Sequence, residues 1–388
     1  MSDVEDKYVC EDCIEDSGLQ HVVRAEQDSQ GVCSYCYASP ASYLADVIEQ
    51  ITASIRTVYG AHEDNYDHDG NPPEMLFISD VFSEIQFTLD NEELMRDIES
   101  WFGDRTYSYD IQGGFLDNVR RDAWEDFQYL IKHRRRYTFW SVESPHNPEM
   151  DELLWSPSNL LENVRKDVDK FSLLRRVDTG LKLWRVRVHK TKESLSSTDD
   201  FTSPPIEDAI HTNRMSPAGI PMFYGAEDFT TACAETIDSD EDNTGYSVTG
   251  MEFSPTTDFV ILDLVDLPAR KSFFDPFDAE QRRGINFLRS FADDLSKPIK
   301  KDGKHHIKYV PTQVFTEFVR HGMKADGGES IHGIRFRSSR NAKDCYVIFV
   351  EKEGCLPPEF KSSMFGGKKR NQFLSANPDT LQTQQITS

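Results

Sequence analysis

The sequence predicts an α+β chain in three consecutive parts: a four-cysteine zinc ribbon, an all-α helical bundle and a mixed α+β domain. Three observations carry that expectation. Two Cys-x2-Cys pairs stand near the N-terminus, and apolar residues then recur at helical spacing as far as Leu174. From Leu183 the period changes to two, the spacing of a strand with two unlike faces. The formal charge of −24 argues against a large non-specific nucleic-acid surface, because phosphate binding draws on clustered lysine and arginine. No run approaches the roughly 18 apolar residues of a membrane span. The acidic, polar start, Met1 to Asp6, lacks the basic and apolar regions of a secretory signal, so a cytoplasmic location is expected.

The first part covers residues 1–38. Cys10 and Cys13, then Cys33 and Cys36, give C-x2-C-x19-C-x2-C, in which each pair offers two thiolates from one tight turn. Four thiolates close a tetrahedral zinc site and leave no position open for a substrate, so the ion is expected to be structural. His21 lies between the pairs and reads as a loop residue.

The second part, 39–175, is expected to open on Ser39 as a helix N-cap with Pro40 at the first helical position. Four apolar stripes follow: Leu44 to Val58, Leu94 to Phe102, Val119 to Ile131 and Leu160 to Phe171. Four amphipathic helices with short or medium loops predict a bundle. Lys132 to Arg136 end the third helix, where cations complement the helix dipole.

The third part begins with a strand in which Trp184, Val186 and Val188 alternate with Arg185 and Arg187. A Ser/Thr/Asp/Pro-rich loop leads to Asn213-Arg214, a short apolar strand from Met222 to Tyr224, and a turn at Gly225. Asp228 then caps a helix of small residues that runs to Glu235. This strand–turn–helix unit brings an arginine, a tyrosine and a carboxylate near one another. Cation, aromatic plate and carboxylate suit a ligand with phosphate, a flat ring and sugar hydroxyls. An acidic turn, 238–245, follows, lacking the glycine and glutamate positions of a calcium loop. Strands are expected at 248–253, 259–264, 331–336 and 345–351, and helices at 281–295 and from Val310. The polar composition of 362–388 predicts a disordered tail.

Residues 181–353 resemble the RES family, named for an arginine, a glutamate and a serine. The resemblance rests on Leu183-Trp184-Arg185, Asn213-Arg214, Phe223-Tyr224-Gly225-Ala226, Thr231-Ala232 with Glu235, Val310-Pro311-Thr312-Gln313 and Gly333 to Ser339. The first 175 residues are similar to the extension of longer members, a zinc ribbon with a HEPN-type helical domain. Met215 departs from short toxin members, which commonly carry an aromatic there, and so does the acidic insertion after the glutamate helix.

The resemblance implies a compact relative of the ADP-ribosyltransferase fold and an enzyme that destroys NAD+, as in toxins of toxin–antitoxin pairs. An antitoxin or other inhibitory protein partner is implied with it. Cleaving the nicotinamide–ribose bond passes through an oxocarbenium-like sugar. Glu235 then stabilises the developing charge. Arg185 and Arg214 bind the diphosphate, as arginine forks match phosphate oxygens. Tyr224 faces the nicotinamide ring, and Ser338, with Ser339 as the alternative, orients its amide. Phosphorolysis and hydrolysis both remain open, and ADP-ribosyl transfer to a protein is the nearest rival. A zinc-ribbon/HEPN nucleic-acid or ribonuclease module is a rival of another class. Its catalytic pair would have to be Arg56 and His62, and His62 sits at the Gly60-Ala61 break rather than within a helix.

Overall fold

The computed structural model describes residues 4, 6–62, 74–109, 113–141, 157–237, 243–269, 271–275, 279–297, 303, 305–356 and 372–386. Contacts group the described residues of Met1–Trp124 and Ala269–Phe287 into one unit, and those of Glu125–Glu143, Ser156–Pro268 and Leu288–Ser388 into another. The acidic segment 238–242 lies outside the described residues.

In the first unit β1 (Tyr8–Val9) is followed by α1 (Ser17–Ala25), β2 (Ser42–Tyr43), α2 (Leu44–Ile55), β3 (Tyr59–Ala61) and β4 (Leu76–Phe77). Next come α3 (Ile78–Glu84), α4 (Glu92–Phe102), β5 (Thr106–Tyr109) and the start of α5 (Gly113–His133). The predicted stripes become core: Leu44, Val47, Ile48, Ile51 and Ile55 of α2 are buried, as are Leu94, Ile98 and Phe102 of α4. That burial is what holds helices of this length, which are marginal alone in water.

Three expectations are corrected here. The region is not all-α, because β3, β5 and β4 form an antiparallel three-stranded sheet beside the helices. Its strands are two to four residues long, too short to leave a period in the sequence. Pro40 does not open a helix: the Ser39-Pro40 bond is cis, β2 follows it, and α2 starts at Leu44. His21 is not in a loop but on the exposed side of α1, which Asp16 caps by accepting from the Gly18 and Leu19 amides.

The second unit takes α6 (Pro157–Lys170), β6 (Leu174–Val177), β7 (Leu183–Lys190), β8 (Phe223–Ala226), α7 (Phe229–Thr236), β9 (Tyr246–Pro255) and β10 (Phe259–Asp263). The latter part of α8 (Ala279–Ser296) belongs to it, with α9 (His305–Lys308), α10 (Val310–Glu317), β11 (Ile331–Arg337), β12 (Asp344–Ile348) and β13 (Leu374–Gln385). The sheet runs β13-β9-β7-β8-β12-β11-β10-β6, with only the β10–β11 pair parallel. Phe223, Phe253, Phe259, Ile261 and Ile348 pack on one another beneath it. Among the described residues no helix is long and apolar enough to cross a membrane.

The predicted disordered tail is also corrected. Residues 374–385 form the edge strand β13, paired antiparallel to β9 from Leu374↔Pro255 to Gln385↔Ser247. Composition misleads here because an edge strand needs few apolar side chains. Leu374 is buried, and hydroxyls serve instead: Thr380 Oγ1 accepts from Glu252 N at 3.0 Å and Thr383 Oγ1 meets Thr249 Oγ1 at 2.8 Å. The rest of the expected tail, 362–371 and 387–388, lies outside the described residues.

Helix α7 is seated by its cap and by a glycine opposite it. Asp228 accepts from the Thr231 amide at 2.9 Å and its hydroxyl at 2.7 Å, and pairs with Lys343 at 3.2 Å. On β9, a Cβ at Gly250 would stand 2.8 Å from both Phe229 Cε2 and Val186 Cγ2, so the helix approaches the sheet only because that side chain is missing. Burial works against the Asp228 carboxylate, but the Thr231 and Lys343 donors outweigh it and hold its pKa below the usual value. A depressed carboxylate contributes stability above its unfolded pKa, about 3.9, and loses it as pH falls through the folded value. Asp228→Ala is therefore expected to cost about 1 kcal/mol at neutral pH. In urea titrations from neutral to acid pH, the gap from the unsubstituted protein should close below the ordinary aspartate range.

Candidate functional site

Strand β8 delivers Tyr224 and continues through Gly225 to Ala226, so the expected turn at Gly225 falls later, before the Asp228 cap. Glu235 stands in the last turn of α7, exposed. Ser338 follows β11 and is 4% exposed. The two meet: Ser338 Oγ donates to Glu235 Oε1 at 2.5 Å, while Oγ accepts from the Arg340 amide at 3.1 Å. Asn341 Nδ2 donates to Thr231 Oγ1 at 2.9 Å, which fixes the turn after β11 against α7. Ser339 is half-buried and makes no side-chain hydrogen bond among the described residues. Of the two serines, only Ser338 is engaged with the carboxylate.

Tyr224 donates its hydroxyl to Ser216 Oγ at 3.0 Å. Burial pushes its phenol up to about 12, so the hydroxyl stays protonated at neutral pH. Its backbone carbonyl accepts from Arg185 Nη1 at 2.8 Å, and the Arg185 guanidinium lies over the Phe223 ring, 5.0 Å from the centroid. Arg185 is 7% exposed, and its Nε has no hydrogen-bond partner among the described residues. Arg214 is half-buried and donates to the Leu295 carbonyl. Burial lowers its pKa while the Glu235 charge works the other way, so this guanidinium and that carboxylate feel each other.

Arg185 and Tyr224 line a cavity of about 610 Å³, a size that suits a small ligand, and Arg187, Asn213, Ser216 and Tyr309 complete much of the wall. Arg214, Glu235 and Ser338 do not line it. The expected residues thus fall into two groups, a Glu235–Ser338 pair and an Arg185–Tyr224 wall, with Arg214 in electrostatic reach of both Glu235 and Tyr224. Met215, at the position where short toxin members carry an aromatic, is wholly buried and takes no part in the wall.

Sequence reasoning gave no role to Ser216, Thr312 or Gln313. Gln313 Nε2 donates to Thr212 Oγ1 and to the Asn213 carbonyl, both at 2.7 Å, and the Thr312 hydroxyl donates to the Arg214 carbonyl. Together they hold the arginine loop in shape. The only signal in the sequence is the Val310-Pro311-Thr312-Gln313 helix start, with proline in the first turn.

In the first unit the Sγ atoms of Cys10, Cys13, Cys33 and Cys36 lie within 4.8 Å of one another, so the cluster could hold a metal ion. Cys10 Sγ is 3.3 Å from Cys36 Sγ, and Cys13 Sγ is 3.8 Å from Cys33 Sγ. Burial pushes the Cys10 thiol up to about 11. Burial also opposes the Cys33 thiolate, yet amide donors from Tyr35 and Cys36 bring it down to about 7. Crowded, partly buried thiolates are costly without a counter-charge, and a divalent cation among them supplies it. Arg56 caps α2 and His62 follows β3, so the two do not share a helix.

Comparison with known proteins adds the family. The profile of the RES domain matches residues 182–358, and that of HEPN/RES N-terminal domain 1 matches residues 26–145. No curated protein and no solved structure matches the chain. The RES match thus takes in β7 through β12 and the 3-10 turn after it, and the second match takes in α2 to α5 with the small sheet. The chain thus carries a RES domain over residues 182–358, preceded by a HEPN/RES N-terminal domain 1 over residues 26–145.

Proposed function

We propose that the RES domain consumes NAD+, cleaving its nicotinamide–ribose bond by phosphorolysis or hydrolysis in the manner of a toxin. The observation that carries this reading is the hydrogen bond from Ser338 Oγ to Glu235 Oε1, formed at the end of α7 within reach of the Arg214 charge. Glu235 is exposed, so a sugar can approach it, while buried Ser338 fixes one carboxylate oxygen. The free oxygen then holds a ribose hydroxyl and stabilises the positive charge that develops as the bond breaks. Arg185 offers the diphosphate a guanidinium already desolvated and held by the Tyr224 carbonyl. In this reading Tyr224 presents a neutral aromatic face to the nicotinamide ring, and Ser338 orients the amide, the role the resemblance implies for it. Such an enzyme works on a cytoplasmic NAD+ pool and calls for an inhibitory protein partner in the cell that makes it.

Following nicotinamide release from NAD+, with and without inorganic phosphate, tests this directly. The expected outcome is release, with Glu235→Gln reducing it by about 10²–10³-fold in a protein that still folds. Full turnover by folded Glu235→Gln would contradict the role, and absence of release by the unsubstituted protein would contradict the activity. Label from NAD+ appearing on protein, rather than in small products, would move the reading to ADP-ribosyl transfer.

The cysteine cluster is proposed to bind one structural zinc. Four thiolates suit that ion's tetrahedral preference, and a closed set offers no position for substrate. Metal analysis of the reduced protein should give one zinc per chain. Changing Cys33 and Cys36 together to serine should lose it and lower the stability of the first unit, whereas full zinc retention would overturn the assignment.

A further inference from the structure

Arg187 lies two residues from Arg185 on β7, so their side chains leave the same face of the strand. Both line the 610 Å³ cavity. Arg187 donates through Nε to the Asp200 carbonyl at 3.2 Å and through Nη2 to the Thr202 carbonyl at 3.0 Å, which leaves Nη1 without a protein partner among the described residues. Arg185 keeps Nε unpartnered in a side chain more than nine-tenths buried. Neither guanidinium has a carboxylate within ion-pair distance among the described residues. The Asp200 carboxylate is turned away, accepting from the Ser196 and Ser197 amides at 3.2 and 3.0 Å. Asp208 and His211 reach the wall from exposed positions.

Two neighbouring cations on one cavity wall, with unused donors and neither ion-paired to a carboxylate among the described residues, gain from an anion that joins them, since the Asp200 charge acts on Arg187 only from beyond ion-pair distance. Burial, and after it the Arg187 charge, pushes the Arg185 guanidinium down to about 9, the direction expected of a cation kept from its counter-ion. Arg214, by contrast, spends a donor on the Leu295 carbonyl and does not line the cavity.

We propose that Arg185 and Arg187 form a subsite for a phosphate dianion, with Arg187 rather than Arg214 as the second guanidinium. Two forked cations side by side match a doubly charged tetrahedral group, or adjacent phosphates, in a way a single arginine does not. The phosphate comes either from the diphosphate of the dinucleotide or from free inorganic phosphate. The choice between these sources rests on the NAD+-consuming reading; binding of phosphate itself does not.

Titration calorimetry on the full chain tests it with two probes, inorganic phosphate and ADP-ribose, for the unsubstituted protein and Arg187→Gln. The charge-assisted bonds at stake predict binding about 10–100-fold weaker in the variant. Weakening with inorganic phosphate alone places a co-substrate in the subsite, and weakening with ADP-ribose alone places the dinucleotide's diphosphate there. Equal binding of both probes by the unsubstituted protein and a folded Arg187→Gln overturns the proposal, as does failure of the unsubstituted protein to bind either. Neither readout needs turnover, so a protein that binds phosphate but releases no nicotinamide would sink the proposed activity and leave the subsite standing. If Arg187→Gln does not fold, modification of Arg187 by phenylglyoxal in the unsubstituted protein decides the matter by mass spectrometry. Protection by phosphate or ADP-ribose supports the subsite, and no protection overturns it.

Discussion

The close seating of α7 on its sheet is the constraint from which the candidate site follows. Gly250 leaves the gap that Phe229 enters, and the Asp228 cap with Lys343 sets where the helix begins. With the start fixed, Glu235 comes two turns later at the helix end, facing the loop that carries Ser338. Asn341 closes the arrangement by bonding Thr231 in the first turn of the same helix. Both ends of α7 are thereby tied to one turn of the sheet, which is how a short helix of low intrinsic stability can hold a carboxylate in place.

Electrostatics divide the labour in the second unit. The two cations on β7, Arg185 buried and Arg187 half-buried, are held by backbone carbonyls and an aromatic ring rather than by carboxylates, so their charge remains available to a ligand. Glu235 remains exposed, and one of its oxygens is satisfied by a neutral hydroxyl. A chain with a formal charge of −24 thus concentrates positive charge in one cavity, where an anion is drawn in against the general repulsion. In the first unit four thiols are drawn within 4.8 Å of one another, a cluster that could hold a metal ion.

Much of this was legible in the sequence because it rests on local signals. The α2 and α4 stripes, the β7 alternation, the Asp228 cap and the cysteine spacing each lie within a few residues, and each has its element in the structure. What escaped depends on partners far away in sequence. The small sheet of β3, β5 and β4 has strands too short to show a period, and β13 draws its order from β9, more than a hundred residues earlier. Likewise, nothing local tells that Gln313 holds the Thr212 hydroxyl and the Asn213 carbonyl, or that Arg187 rather than Arg214 faces the cavity. Spacing had already grouped Arg214, Tyr224 and Glu235, and the resemblance added Arg185 and Ser338; only the fold could divide them into a wall and a pair.

The most direct test of the account is a crystal structure of the protein with a non-cleavable NAD+ analogue. The account predicts the diphosphate against Arg185, the nicotinamide ring at Tyr224 with its amide toward Ser338, and the adjoining ribose against Glu235. An analogue bound with its ribose remote from Glu235, or a saturated crystal with no analogue in the cavity, would contradict it.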